Sequence, residues 1–234
     1  AVLGETIAGM SHDVKNILSG LEGGVYIVDS GLKSGRQDRT HTGWSMVKKN
    51  VEKVSELVRD ILYASKERVP EYQECDIAEL LTDVFDLYEK KALENGIHLV
   101  KEFDENMGTA LLDPKGIHSA VSNLISNAFQ ACRTAPGDRE LRIVIGGFVE
   151  GSTLSLWVAD TGAGMSEDVQ QKLFTRFYST KGSKGTGLGL VVTRKVVEEH
   201  GGNISVESSL GVGTRFHIEI PLKQPKQLLA SAGV

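Results

Sequence analysis

From Leu3 to Leu32 the apolar positions Leu3, Ile7, Met10, Val14, Ile17, Leu21, Val25, Val28 and Leu32 recur every three or four residues, the period of one helix face. The spacing predicts a long amphipathic helix. Glycines at 4, 9, 20, 23 and 24 weaken it by up to about 1 kcal/mol each relative to alanine in exposed interior positions, so packing must hold it together. Ser34 to Thr42, rich in Gly, Ser, Asp and Arg, predicts a turn, after which Trp44, Val47, Val51, Val54, Val58 and Ile61 resume the seam. The two helices form an antiparallel hairpin. One hairpin leaves its seam wet whereas two make a four-helix bundle, so a homodimer is expected; a monomeric hairpin docked on the rest of the chain is the alternative.

The polar run Lys66 to Glu74, with Pro70, predicts a linker, and helix and strand signals alternate beyond it. Helices are expected over Ile77 to Leu93 and His118 to Cys132. Strands are expected over Ile97 to Phe103, Leu141 to Phe148, Leu154 to Ala159, Asn203 to Ser208 and Thr214 to Ile220. The division is a helical domain at 1–69, an α+β domain at 70–222 with helices on one face of a mixed sheet, and a loose tail at 223–234.

Composition narrows the functions open to such a chain. It has 234 residues, 40% hydrophobic and 24% charged, with a net charge of -5. That offers no basic stripe for nucleic acid. Cys75 and Cys132 stand far apart, without CxxC or a neighbouring His cluster, which argues against a metal site or disulfide framework and fits a reducing cytoplasm. No apolar run approaches the roughly 18 residues of a membrane helix, so no membrane contact is expected within the chain. Because the helical pattern opens at once, an upstream sensor or membrane part is expected to be missing.

Three stretches carry chemistry. In VADTGAGM, Asp160 stands at a strand end before a turn containing Gly162 and Gly164; the carboxylate can accept the exocyclic amine of adenine while the glycines let the backbone pass close to the base. A plain Asp-Gly turn is the alternative. In GSKGTGLGL, Gly182, Gly185, Gly187 and Gly189 precede the helical run Val191 to His200, and bare amides at a helix start suit phosphate oxygens; a flexible surface loop is the alternative. In SNLISNAFQ, Asn123 and Asn127 share a helix face opposite Val121, Leu124, Ile125 and Phe129. Their neutral oxygens suit Mg²⁺ already carrying triphosphate charge, although a solvated face would look the same.

Taken in order, SNLISNA, DTGAGM, LFTRFYSTK, GTGLGL and GGNISVESSLGVGTRFHIEIP resemble the ATP-binding domain of sensor histidine kinases, within the wider family shared with gyrase, Hsp90 and MutL. The resemblance implies ATP held between the asparagine helix and a lid of about residues 166 to 187. It puts Asp160 on the adenine amine, Asn127 on Mg²⁺, Asn123 beside the phosphates, and Gly185, Thr186, Gly187, Leu188 and Gly189 around the triphosphate. Phe174 and Phe177 match the lid's phenylalanine motif, with core aromatics as the alternative, and Lys181 either reaches the γ-phosphate or stays in water. Gyrase-type relatives carry a catalytic Glu where Asn123 stands. An amide cannot act as a base, so the γ-phosphate is kept for another nucleophile.

SHDVKN supplies that nucleophile. His12 lies two residues from both Met10 and Val14, about 160 to 200° around the helix from the seam, and is expected to be exposed. Asp13 can hold the proton on one ring nitrogen, and Asn16 lies one turn on along the same face. Spacing alone would also suit a solvated histidine. The segment from Gly4 to about Leu32 resembles the H box of histidine kinases, which implies that His12 is the phosphoacceptor, Asp13 the general base, and Asn16 the residue that positions water when a response regulator is dephosphorylated. Ile17 stands where many relatives have proline, so a helix kink at that point is not expected. A response-regulator receiver domain is the implied partner. An ATPase machine and a nucleotide-binding scaffold without catalysis are the rival classes.

Overall fold

The computed structural model describes residues 2–64, 69–137, 139–175, 178 and 187–222, with side chains at 14–55, at 58, and throughout the described residues from 69 on. The chain divides into two compact units, one of residues 1–68 with 175–188, the other of 69–174 with 189–234. The tail at 223–234 lies outside the described residues.

The first unit is a hairpin of α1 (Val2–Ser34) and α2 (Gln37–Ala64). The turn is far shorter than its composition predicts. Only Gly35 and Arg36 separate the helices, with Gly35 at a φ of +66° and the Arg36 amide bonded to the Gly31 carbonyl at 2.9 Å. Gln37 to Thr42 are instead helical, and their polar side chains are those of a solvated first turn, in which Asp38 pairs with Arg36 at 2.8 Å.

The hairpin is closed at glycines as well as by part of its apolar seam. A Cβ on Gly43 would lie 2.6 Å from the Val28 amide nitrogen and 2.7 Å from the Gly24 carbonyl oxygen, and one on Gly24 would lie 2.9 Å from Val47. The helices meet backbone to backbone at these glycines. Val14, Leu18, Val25 and Leu32 on α1, with Trp44, Val51 and Val58 on α2, remain exposed. Within this unit, Ile17 is buried with Leu188 and Leu21 packs against them.

The second unit begins with β1 (Gln73–Asp76), then α3 (Ile77–Glu94), β2 (His98–Phe103), β3 (Thr109–Leu112), α4 (Pro114–Arg133), β4 (Arg142–Glu150), β5 (Thr153–Asp160), the short α5 (Glu167–Gln170), α6 (Gly189–Glu199), β6 (Asn203–Ser209) and β7 (Gly213–Pro221). The main sheet has the order β2-β4-β5-β7-β6, parallel only between β2 and β4. β1 and β3 pair as a separate antiparallel ribbon, so Gln73 and Glu74 are strand rather than linker.

Alternation along the strands explains the layers. Leu154, Leu156 and Val158 on β5, with Phe216, Ile218 and Ile220 on β7, are buried on one face, where Ile145, Leu156 and Ile218 meet Leu81, Val121 and Leu124 of the helices. Each such side chain contributes about 1.5–3 kcal/mol by leaving water. The outer face is sparser. There Trp157 lies over Gly146, whose missing Cβ makes room for the indole, and Arg215 stacks on Trp157 at 4.8 Å. Among the described residues no helix is long and apolar enough to cross a membrane.

Two caps fix the starts of the helices. Asp76 accepts from the Glu79 amide at 3.0 Å, and Asp113 accepts from the Gly116 amide at 3.1 Å with Pro114 in the first helical turn. The Asp113 cap is itself held by His200, which is fully buried. His200 Nε2 accepts the Asp113 N–H at 2.9 Å, so the ring proton sits on Nδ1 and is donated to the Val196 carbonyl at 2.7 Å. Tyr72 packs edge-on against the ring and donates its hydroxyl to the Glu199 carbonyl. His200→Leu removes both hydrogen bonds from a dry site, and urea denaturation should show a loss of roughly 2–5 kcal/mol.

Candidate functional site

The site grows from α4. Its buried face carries Val121, Leu124, Ile125, Ala128 and Phe129, which leaves Asn123 and Asn127 half-buried on the other side, one turn apart. Asn123 Nδ2 donates to the Gly189 carbonyl at 3.1 Å, which ties α4 to the first residue of α6. The start of α6 presents amide N–H groups without helical partners. Gly187 and Leu188 precede it, Gly187 at a φ of +64°.

Asp160 closes β5. Its Oδ1 accepts the Gly162 amide at 2.7 Å, and the Thr214 amide on the paired strand also favours the charged carboxylate. Burial dominates its electrostatics: desolvation pushes the carboxyl up to about 6, against the opposing pull of those two amides and of Arg139. Cys132, on the α4 side, has its thiol pushed up to about 11 by burial and by the Asp160 charge, so it stays neutral at ordinary pH.

The turn after Asp160 is fixed from several directions. Ala163 N–H donates to the Ala131 carbonyl at 3.0 Å, and Gly211 N–H donates to the Ala163 carbonyl at 2.7 Å. Met165 N–H donates to Ser208 Oγ at 2.9 Å, while Ser208 Oγ donates to the Gly213 carbonyl at 2.9 Å. Gly164 adopts a φ of +65°, and a Cβ there would run into the Ser209 carbonyl. Arg139 Nη2 donates to the Gly162 carbonyl at 2.5 Å and Nη1 to the Gly211 carbonyl at 2.6 Å.

Of the residues singled out in the sequence, the structure joins Asn123 to Gly189 and Asp160 to Gly162. Phe174 is half-buried under the Arg194 guanidinium, 5.5 Å from its ring centre. Asn16 is exposed on α1. The side chains of His12 and Asp13, and all of Phe177, Lys181, Gly185 and Thr186, lie outside the described residues. Arg139, Ser208 and Thr214 were given no role by sequence reasoning. Ser208 and Thr214 fall within a motif that carried the resemblance, whereas Arg139 sits in a polar loop with no local signal.

The asparagine helix α4, the Asp-Gly turn after β5 and the glycine-led α6 thus belong to one unit of mixed sheet and helices. A family model described as "Histidine kinase-, DNA gyrase B-, and HSP90-like ATPase" matches residues 112–224. The catalytic domain of histidine kinase ThkA is 31% identical, covering 65% of this chain and 96% of that one, with a TM-score of 0.56. Histidine kinase ThkA in complex with response regulator protein TrrA is 26% identical over 95% of this chain and 62% of that one, with a TM-score of 0.69. Sporulation kinase E of Bacillus subtilis (strain 168) is 27% identical over 223 residues, 95% of this chain and 29% of that protein. The chain belongs to the histidine kinase family. It spans only about a third of the length of the first curated relatives, 29% and 35%.

The raised carboxyl makes a stability prediction. Between the ordinary value near 4 and about 6, the folded chain binds more protons at Asp160 than the unfolded chain, so ionising this group costs stability as pH rises through that window. Asp160→Asn keeps an acceptor for the two amides and removes the buried charge. Denaturation at pH 7 should find it more stable than wild type by on the order of 2 kcal/mol, a gain that disappears by pH 4.

Proposed function

We propose that the chain is the catalytic core of a sensor histidine kinase of a two-component system. In this reading residues 1–69 are the dimerisation and phosphotransfer hairpin and residues 70–222 bind Mg-ATP, with 223–234 as a tail. The observation that carries the reading is the bond from Asn123 to the Gly189 carbonyl, which sets the asparagine helix beside the amide-rich start of α6. A triphosphate would lie across these two elements, with the base on Asp160. Gly162 and Gly164 let the backbone pass the base, and Gly185, Thr186, Gly187, Leu188 and Gly189 surround the phosphates. Phe174, Phe177 and Lys181 belong to the lid.

Asn127 would hold Mg²⁺, since a neutral carboxamide oxygen half-buried on the same face suits a cation shared with phosphate oxygens. When bound, the ion neutralises charge developing on the β- and γ-phosphates. No carboxylate stands at position 123 to activate water, so the γ-phosphoryl is preserved for the hairpin. A nitrogen of His12 attacks the γ-phosphorus in line; a P–N bond forms, the bond to the bridging oxygen breaks, and ADP leaves. Asp13 takes or holds the imidazole proton. A receiver-domain aspartate then accepts the phosphoryl group, and Asn16 positions water for its later hydrolysis.

The exposed seam of Val14, Leu18, Val25, Leu32, Trp44, Val51 and Val58 supports a homodimer, because a four-helix bundle would cover it. The cytoplasm is the proposed setting, with a sensor or anchor upstream of this segment. Wild type and His12→Gln, incubated with Mg²⁺ and γ-labelled ATP, test the reading. Label on wild type alone, stable in alkali and lost in acid, is expected; if neither protein is labelled while ATP binds, a scaffold or phosphatase-only role takes its place.

A further inference from the structure

The guanidinium of Arg139 is the one charged side chain seen to bridge the turn after β5 and the turn between β6 and β7 among the described residues. Its two terminal nitrogens reach the Gly162 carbonyl at 2.5 Å and the Gly211 carbonyl at 2.6 Å. Its Nε is inaccessible to solvent and has no hydrogen-bond partner among the described residues. A planar fork held between two carbonyls fixes their separation and relative orientation, which a flexible ammonium cannot do. Gly162 is also the residue whose amide grips Asp160 Oδ1 at 2.7 Å, so one face of this peptide pair holds the carboxylate while the other is held by Arg139.

We propose that Arg139 is a positioning residue for base recognition: it locks the turn that aims Asp160 at the exocyclic amine, and so sets the preference for adenine over bases lacking that amine. The inference rests on the proposed nucleotide site. It needs no contact between Arg139 and the nucleotide. The charge of Arg139 acts in the same direction, since it opposes the burial that pushes Asp160 up to about 6. The other titratable group beside Asp160 among the described residues is Cys132, neutral at ordinary pH because its thiol is pushed up to about 11; the Gly162 and Thr214 amides supply neutral donors. Removing the guanidinium therefore loosens the aim of the carboxylate and moves its titration further upward, toward neutral pH.

The test compares ADP with inosine diphosphate, which carries a carbonyl in place of the amine, by calorimetry in Mg²⁺ on wild type, Arg139→Met, Arg139→Lys and Asp160→Ala. A hydrogen bond from the amine to a buried carboxylate predicts that wild type prefers ADP by roughly tenfold or more. Arg139→Met should narrow that preference several-fold, with little change in inosine diphosphate affinity. The pH below which the ADP preference is lost should also move up from about 6. Arg139→Lys should restore the pH midpoint while leaving much of the discrimination lost, because it returns the charge without the fork. If Arg139→Met weakens both nucleotides equally, or changes neither, the positioning role is overturned while the nucleotide site stands. If wild type itself shows no preference for ADP, or Asp160→Ala retains it, the base-recognition reading of Asp160 fails and the role of Arg139 falls with it.

Discussion

The backbone contact between the turn after β5 and the turn between β6 and β7 is the constraint on which the second unit's site depends. Asp160 stands at a strand end, where a carboxylate would otherwise swing freely, and its direction is set by where the following residues go. Those residues are stitched to Ala131 on one side and to Ser208 and Gly211 on the other. The closeness required leaves no space for a side chain at Gly164 or Gly213, whose added Cβ would strike the carbonyls of Ser209 and Asp160. Glycine here is a demand of contact across the sheet as much as of local turn geometry.

The same contact sets the electrostatics. Drawing the turn inward buries Asp160 and raises the free energy of its charged form, and the structure answers with two amide donors and a guanidinium rather than a direct ion pair. A carboxylate held short of full satisfaction retains acceptor capacity for a further donor. Local conflict of this kind at a cleft is where a fold departs from its own stability optimum in favour of chemistry.

Much of this was legible in the sequence. The five main strands and the long helices follow from period, the Asp-Gly turn follows the strand that its sequence announces, and the asparagine pair lies one turn apart on α4 as its spacing predicts. The misses have physical causes. Asp113 and Pro114 announce the start of α4 four residues before the expected His118, yet the apolar period that drew the helix begins later. β1 reads Gln-Glu-Cys-Asp, too short and polar to show alternation, and gains its identity from pairing with β3. Gln37 to Thr42 have a loop-like composition because they form a solvated turn of helix. Arg139 has no local pattern at all, since its two partners lie 23 and 72 residues away along the chain.

The hairpin corrects the simplest reading of its own glycines. They look like weaknesses in α1, but Gly24 and Gly43 are where the two helices touch, with the Val47 side chain of α2 against Gly24 and the Val28 side chain of α1 against Gly43. A joint made this way has short teeth, one valine from each helix set against a glycine of the other. Sliding one helix along the other would drive each valine into backbone that has no room for it, so the glycines fix the height at which the helices meet. The hairpin is thus built as a keyed joint, with the glycines as its slots.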